Sequence, residues 1–94
     1  MSQLILRPEA EQDLARAFFW YESRREGLGF DLMLQADAAF HQIQRSPQAF
    51  PVVHRGVRKH LLRRFPYKVL YQVTGEKIII VAVLACRLDV DNPR

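Results

Sequence analysis

Tyr67-Lys68-Val69-Leu70-Tyr71-Gln72-Val73, then Thr74-Gly75-Glu76, then Lys77-Ile78-Ile79-Ile80-Val81-Ala82-Val83-Leu84-Ala85 is the stretch on which the fold turns. The first segment alternates. Tyr67, Val69, Tyr71 and Val73 fall on one face, and Lys68, Leu70 and Gln72 on the other, which is the two-residue period of a strand. Thr74-Gly75-Glu76 is a turn signal. The second segment is apolar on both faces, as expected of a strand covered on both sides. Two such runs joined by so short a turn predict an antiparallel hairpin.

Outward from this hairpin, Val57 to Arg64 is a candidate strand and Phe50 to His54 a short extended piece. Further back the period changes. Ala10, Leu14, Ala17, Phe18 and Tyr21 recur at helical spacing, with Trp20 flanking the stripe and Phe19 pointing away from it. Pro8 suits the first turn, and acidic Glu9 and Glu11 lie near the positive end of the helix dipole. Gly27-Leu28-Gly29 ends this helix through a left-handed cap. Leu28, Leu32, Ala36, Ala39 and Ile43 form the stripe of a second helix, widened by Met33 and Phe40 and stopped by Ser46-Pro47. Phe30 and Leu34 project toward its other side. Gln3 to Arg7 is apolar enough for one more strand. The expected order is β-α-α-β-β-β, an α+β fold in which an N-terminal strand and a helical hairpin pack on an antiparallel sheet.

The chain has 94 residues, a length that suits one domain over 1–94. Nearly half of them are hydrophobic, which excludes a disordered chain. The longest apolar run is far shorter than the roughly 20 residues of a membrane helix, and no basic leader precedes an apolar stretch. A cytoplasmic protein without a membrane partner is expected. Cys86 is the only cysteine, and His41, His54 and His60 stand at no ligand spacing, so neither a metal nor a cofactor is expected.

Net charge is +4, unevenly spread. Pro8 to Asp37 is rich in acids, whereas Ala38 to Gly75 contains none and carries Arg45, Arg55, Arg58, Lys59, Arg63, Arg64 and Lys68. So long a single-sign stretch attracts polyanions or acidic proteins.

Taken in order, Pro8-Glu9-Ala10, Asp13-Leu14, Trp20-Tyr21-Glu22, Gly27-Leu28-Gly29-Phe30, Phe50-Pro51 and above all Arg63-Arg64-Phe65-Pro66-Tyr67-Lys68-Val69-Leu70-Tyr71 resemble the RelE/ParE toxin superfamily over nearly the whole chain. The resemblance implies the toxin of a type II toxin–antitoxin pair, held by a cognate antitoxin. Two activities would then compete: ParE-like inhibition of DNA gyrase, and RelE-like cleavage of messenger RNA on the ribosome.

The nuclease reading needs cations around the scissile phosphate. By the resemblance, Lys68 falls at a phosphate-binding arginine position, Lys59 at one basic position of the preceding strand and Arg87 near another. Leu61 occupies the second basic position of that preceding strand, and no tyrosine follows Arg87. The set is incomplete, so ParE-like gyrase inhibition is the expected function, without catalysis, and a metal-independent endoribonuclease is the alternative. The end Ala85-Cys86-Arg87-Leu88-Asp89 lacks the histidine, second arginine and tryptophan common after the family's last strand. For the antitoxin, Phe19, Phe30 and Leu34 are expected to line an apolar groove, with Arg58 and Arg63 attracting acidic side chains. Arg64 and Arg87 are the expected contacts to the target.

Overall fold

The computed structural model describes residues 2–86. Its elements are β1 (Gln3–Leu6), α1 (Pro8–Arg24), α2 (Leu28–Arg45), β2 (Val52–His54), β3 (Val57–Leu61), β4 (Tyr67–Thr74) and β5 (Lys77–Ala85). The five strands form one sheet in the order β1-β5-β4-β3-β2. From β3 to β5 the sheet is the expected antiparallel meander, and Val52–His54, expected only as an extended piece, adds β2 to it as a further strand. The N-terminal strand adds a feature the sequence did not foretell: β1 lies parallel to β5, from Gln3 opposite Lys77 to Leu6 opposite Ile80, so the sheet is mixed.

The two helices cover one face. Ala10, Leu14 and Ala17 of α1 and Leu32, Ala36, Ala39 and Ile43 of α2 are buried against Val69, Tyr71, Ile78, Ile80 and Val83. Each fully buried Leu, Ile or Val in this set stabilises the fold by roughly 1.5–3 kcal/mol relative to exposure. Tyr71 reaches through the core to donate from its hydroxyl to the Pro47 carbonyl at 2.7 Å.

The helical hairpin turns tightly for a specific reason. Gly27 adopts φ 88°, the left-handed conformation expected there. Glu22, in the last turn of α1, then folds back over the start of α2. Its Oε2 accepts from the Gly27 amide at 2.8 Å and its Oε1 from the Gly29 amide at 2.9 Å. A carboxylate thus satisfies two amides that a helix start leaves without intrahelical partners. Gly29 makes the close approach possible. A Cβ there would lie 2.6 Å from the Phe18 carbonyl oxygen and 2.8 Å from its ring.

A bulge sets which residues of β5 face the helices. Leu70 pairs with Ala82 but Tyr71 pairs with Ile80, so Val81 is an extra residue. Parity flips across it: Ile78 and Ile80 are buried before it, and Val83 after it. Beyond Leu6 the chain leaves the sheet at Arg7-Pro8, and the Val83 amide, on that side of β5, donates to Asp13 Oδ2 at 3.0 Å.

Three expectations are corrected. Among the described residues the β5 strand is not covered on both faces: no helix of theirs lies on its outer side, where Ile79 and Val81 are half-buried and Leu84 is exposed. The β3 strand ends at Leu61 rather than Arg64, because Arg64 takes φ 71°, which no strand tolerates. Phe18, assigned to the core stripe, is only half-buried and belongs to the surface described next. On the β3 side the edge of the sheet is β2, whose residues are all exposed.

Candidate functional site

The outer side of the helical hairpin carries a second apolar stripe. Phe30, Met33 and Leu34 recur at helical spacing on α2, away from the buried Leu32-Ala36 face. From α1, Phe18 and Phe19 meet them. The Phe18 ring stands edge-on to Phe19 at 5.2 Å and to Phe30 at 4.9 Å. Phe19, Phe30 and Leu34 are 67%, 61% and 67% exposed. Two shallow apolar hollows adjoin here and share Met33. One, of about 370 Å³, includes Leu6, Leu14, Phe18 and Phe19. The other, of about 430 Å³, includes Phe30, Leu34, Phe40 and Asp37. The structure therefore brings Phe19, Phe30 and Leu34 together on one groove. The sequence reading missed Phe18 and Met33 as its floor. The signal was present in the i, i+3 spacing of Phe30 and Met33, but both residues also border core stripes.

The basic residues do not gather beside this groove. Arg58 is committed elsewhere: its Nη1 donates to the carbonyls of Phe50 at 2.6 Å and Gln48 at 3.2 Å, and its Nη2 to Gln48 Oε1 at 3.1 Å. It clamps the loop after α2, at the end of that helix far from Phe30. Arg63 is exposed in the turn between β3 and β4. Beside it Arg64 lies 3.8 Å from Asp31, in the first turn of α2, and 5.3 Å from the Phe65 ring centre.

The outer face of the sheet holds Lys59 and Lys68. Lys59 pairs across to Leu70, and Lys68 to Leu61 and Leu84. Both lysines share this face, as strand alternation requires, but the neighbours that register places between them are leucines. His60 points the other way. Its Nε2–H donates to Gln42 Oε1 at 2.7 Å, its ring packs on Phe50 at 4.0 Å, and burial lowers its pKa below the usual 6.5. Burial raises the pKa of Tyr67, with Tyr21 adding to it, and raises that of Tyr71 against the opposing pull of Arg58. These phenols stay protonated at neutral pH. Arg87 lies outside the described residues. Among the described residues no group of three His, Cys, Asp or Glu side chains could hold a metal ion, and no helix is long and apolar enough to cross a membrane.

The chain matches the family described as ParE toxin of type II toxin-antitoxin system, parDE, over residues 4–89. The chain belongs to the ParE toxin family. Toxin ParE2 of Mycobacterium tuberculosis is 34% identical over 84 residues, spanning 88% of this chain and 77% of that protein. Among solved structures, the fold is that of a chain in the chromosomal ParDE toxin–antitoxin system from P. aeruginosa. The TM-score is 0.75 at 20% identity, over 93% of this chain and 98% of the other. A chain of the intact E. coli RelBE toxin–antitoxin complex superposes with a TM-score of 0.70 at 18% identity, over 93% and 99% of the two chains. This ParE-family chain is a toxin of the type II kind, built on the fold that the ParDE and RelBE structures share.

Proposed function

We propose that this toxin acts by binding, as a ParE-like inhibitor of DNA gyrase in the cytoplasm, and that an antitoxin helix neutralises it from the groove of Phe19, Phe30 and Leu34. The observation that carries the binding reading is that groove. It is apolar, doubly hollowed and built on two rigid helices. Exposed aromatic clusters of this kind mark interaction surfaces, and an amphipathic helix buries its apolar face into such a trough. The P. aeruginosa and E. coli structures are toxin–antitoxin assemblies, which supports an antitoxin as the occupant. Arg63, exposed between β3 and β4, would attract acidic antitoxin side chains from outside the groove, while Arg58 contributes by holding its loop.

The outer sheet face supports gyrase rather than RNA as the target. Metal-free RNA cleavage needs several cations converging on one phosphate. Here Lys59 and Lys68 are joined by Leu61, Leu70 and Leu84. Arg64 and Arg87 remain the proposed target contacts. Expression of this chain alone in bacteria, with DNA breaks and transcript cleavage followed together, tests the assignment. Double-strand breaks with intact transcripts support it. Codon-positioned cuts without DNA damage overturn it and make Lys59, Lys68 and Arg87 the catalytic candidates. For the groove, Phe19→Asp should abolish co-purification with the antitoxin while leaving the melting temperature within a few degrees, since Phe19 is exposed. Retained co-purification would remove the groove as the antitoxin's seat.

A further inference from the structure

Strand β5 is longer than its neighbour β1. Pairing of β1 with β5 ends at Leu6 and Ile80, closed by the Arg7 amide donating to the Ile80 carbonyl at 3.1 Å. From Val81 to Ala85, β5 has β4 on one side and, among the described residues, no strand on the other. Peptide groups alternate along a strand. The Cys86 amide donates to Pro66, on the β4 side, at 2.7 Å, whereas the Val83 amide turns to the open side and meets Asp13. Val83 and Ala85 therefore direct their backbone toward the gap. Asp13 takes the Val83 N–H as a strand carbonyl would.

An open cleft of about 450 Å³ runs along this edge, with Arg16 and Trp20 of α1 on one wall and Tyr67 and Leu84 on the other. The Arg16 side chain is 71% exposed and uses one nitrogen on Asp13 Oδ1 at 2.6 Å. Trp20 is 51% exposed, and Arg24 lies over its ring at 4.1 Å.

We propose that this gap is a strand-addition site, in which an extended acidic–apolar peptide segment of a partner protein continues the line of β1 along Val83–Ala85. The hydrogen-bond geometry specifies its direction. A parallel strand grips its neighbour through one residue, which donates its N–H to the carbonyl of one position and accepts at its C=O from the N–H two positions later. Val83 O and the Ala85 N–H are such a pair. They leave the Val83 N–H with Asp13, so the site is filled without breaking that bond. Arg16 and Arg24 favour acidic side chains on the incoming strand, and Leu84 and Trp20 bury its apolar ones. The site is separate from the helical groove and can fail while that assignment stands.

Trp20 is the only tryptophan, so its fluorescence reports the cleft directly. The full chain is titrated with a short capped peptide alternating valine and aspartate. The expected result is a saturable change in Trp20 emission, weakened about tenfold by Arg16→Glu, a change worth about 1.4 kcal/mol. It should be lost when the peptide is N-methylated on the edge that would pair with β5. No saturable change, or binding indifferent to N-methylation, overturns strand addition. If only the full-length chain carrying Leu88→Lys and Val90→Lys responds, residues 87–94 of the chain itself compete for the gap, and the partner assignment falls.

Discussion

Replacing Glu22 by Gln should cost more than any other isosteric change on the helical hairpin. The Glu22 carboxylate receives two amides, Gly27 at 2.8 Å and Gly29 at 2.9 Å, at the positive end of α2. Glutamine keeps one oxygen and turns its NH₂ toward the other amide, donor against donor. A hydrogen bond to a charged group contributes about 1.5–3 kcal/mol when well shielded, and the helix-end charge adds about 0.3–1 kcal/mol. Glu22 is half-buried, so solvent screening trims these values. The net expectation is a loss of about 2 kcal/mol. For a domain of this size that corresponds to a fall in Tm of roughly 8–16 °C. Urea and thermal unfolding of Glu22→Gln beside Glu26→Gln, an exposed neighbour, measure it. If Glu22→Gln unfolds within about 0.3 kcal/mol of Glu26→Gln, the carboxylate does not hold the hairpin and the account of its turn is wrong.

Other variants probe the remaining joints. Gly29→Ala places a methyl 2.6 Å from the Phe18 carbonyl oxygen, so the helices must separate; a loss of about 1–3 kcal/mol and weaker antitoxin binding are expected, by calorimetry and pull-down. Tyr71→Phe leaves the Pro47 carbonyl without its 2.7 Å donor inside the core and should cost about 1 kcal/mol in urea unfolding, with no change in m-value. Burial lowers the pKa of His60, so the unfolded chain takes up its proton first as pH falls. Stability from His60 is intact above pH 6.5 and declines from there down to its lower folded value. Urea midpoints at pH 7.5 and 5.5 should differ less in His60→Asn than in the parent chain, and equal differences would refute the linkage.

The helices were legible in the sequence because burial stripes repeat along one element. Leu14 and Ala17, then Leu32, Ala36, Ala39 and Ile43, are buried at the spacing their period dictated. Phe19, Phe30 and Leu34 were legible as the residues left over by those stripes. What periodicity does not carry is the identity of the neighbour. The pairing of Gln3 with Lys77 and the bond from Val83 to Asp13 join opposite ends of the chain. The role of Glu22 was not legible because its partners come five and seven residues later, across a turn. The apolar character of β5 on both faces was read as two covers, but one cover and a half-exposed outer face satisfy the same composition. Arg58 read as a free charge because its partners are backbone carbonyls, which no sequence pattern marks.

Strand β5, which joins β1 to the rest of the sheet, is made long after β1. Residues 77–85 must exist before β1 has anything to pair with, some seventy residues after β1 itself has been synthesised. At about 5–20 residues per second that is roughly 4–14 s of translation. Over that interval Ile5 and Leu6, the inner stripes of both helices and Asp13 all lack their mates. The nascent chain can form its helical hairpin early, from local contacts and the Glu22 cap. It cannot close a core or complete the sheet until β5 has been made. High contact order of this kind makes the final step slow and cooperative. Until β5 has been made, the groove of Phe19, Phe30 and Leu34 is therefore presented by a loose hairpin whose inner face has no complete sheet to pack on.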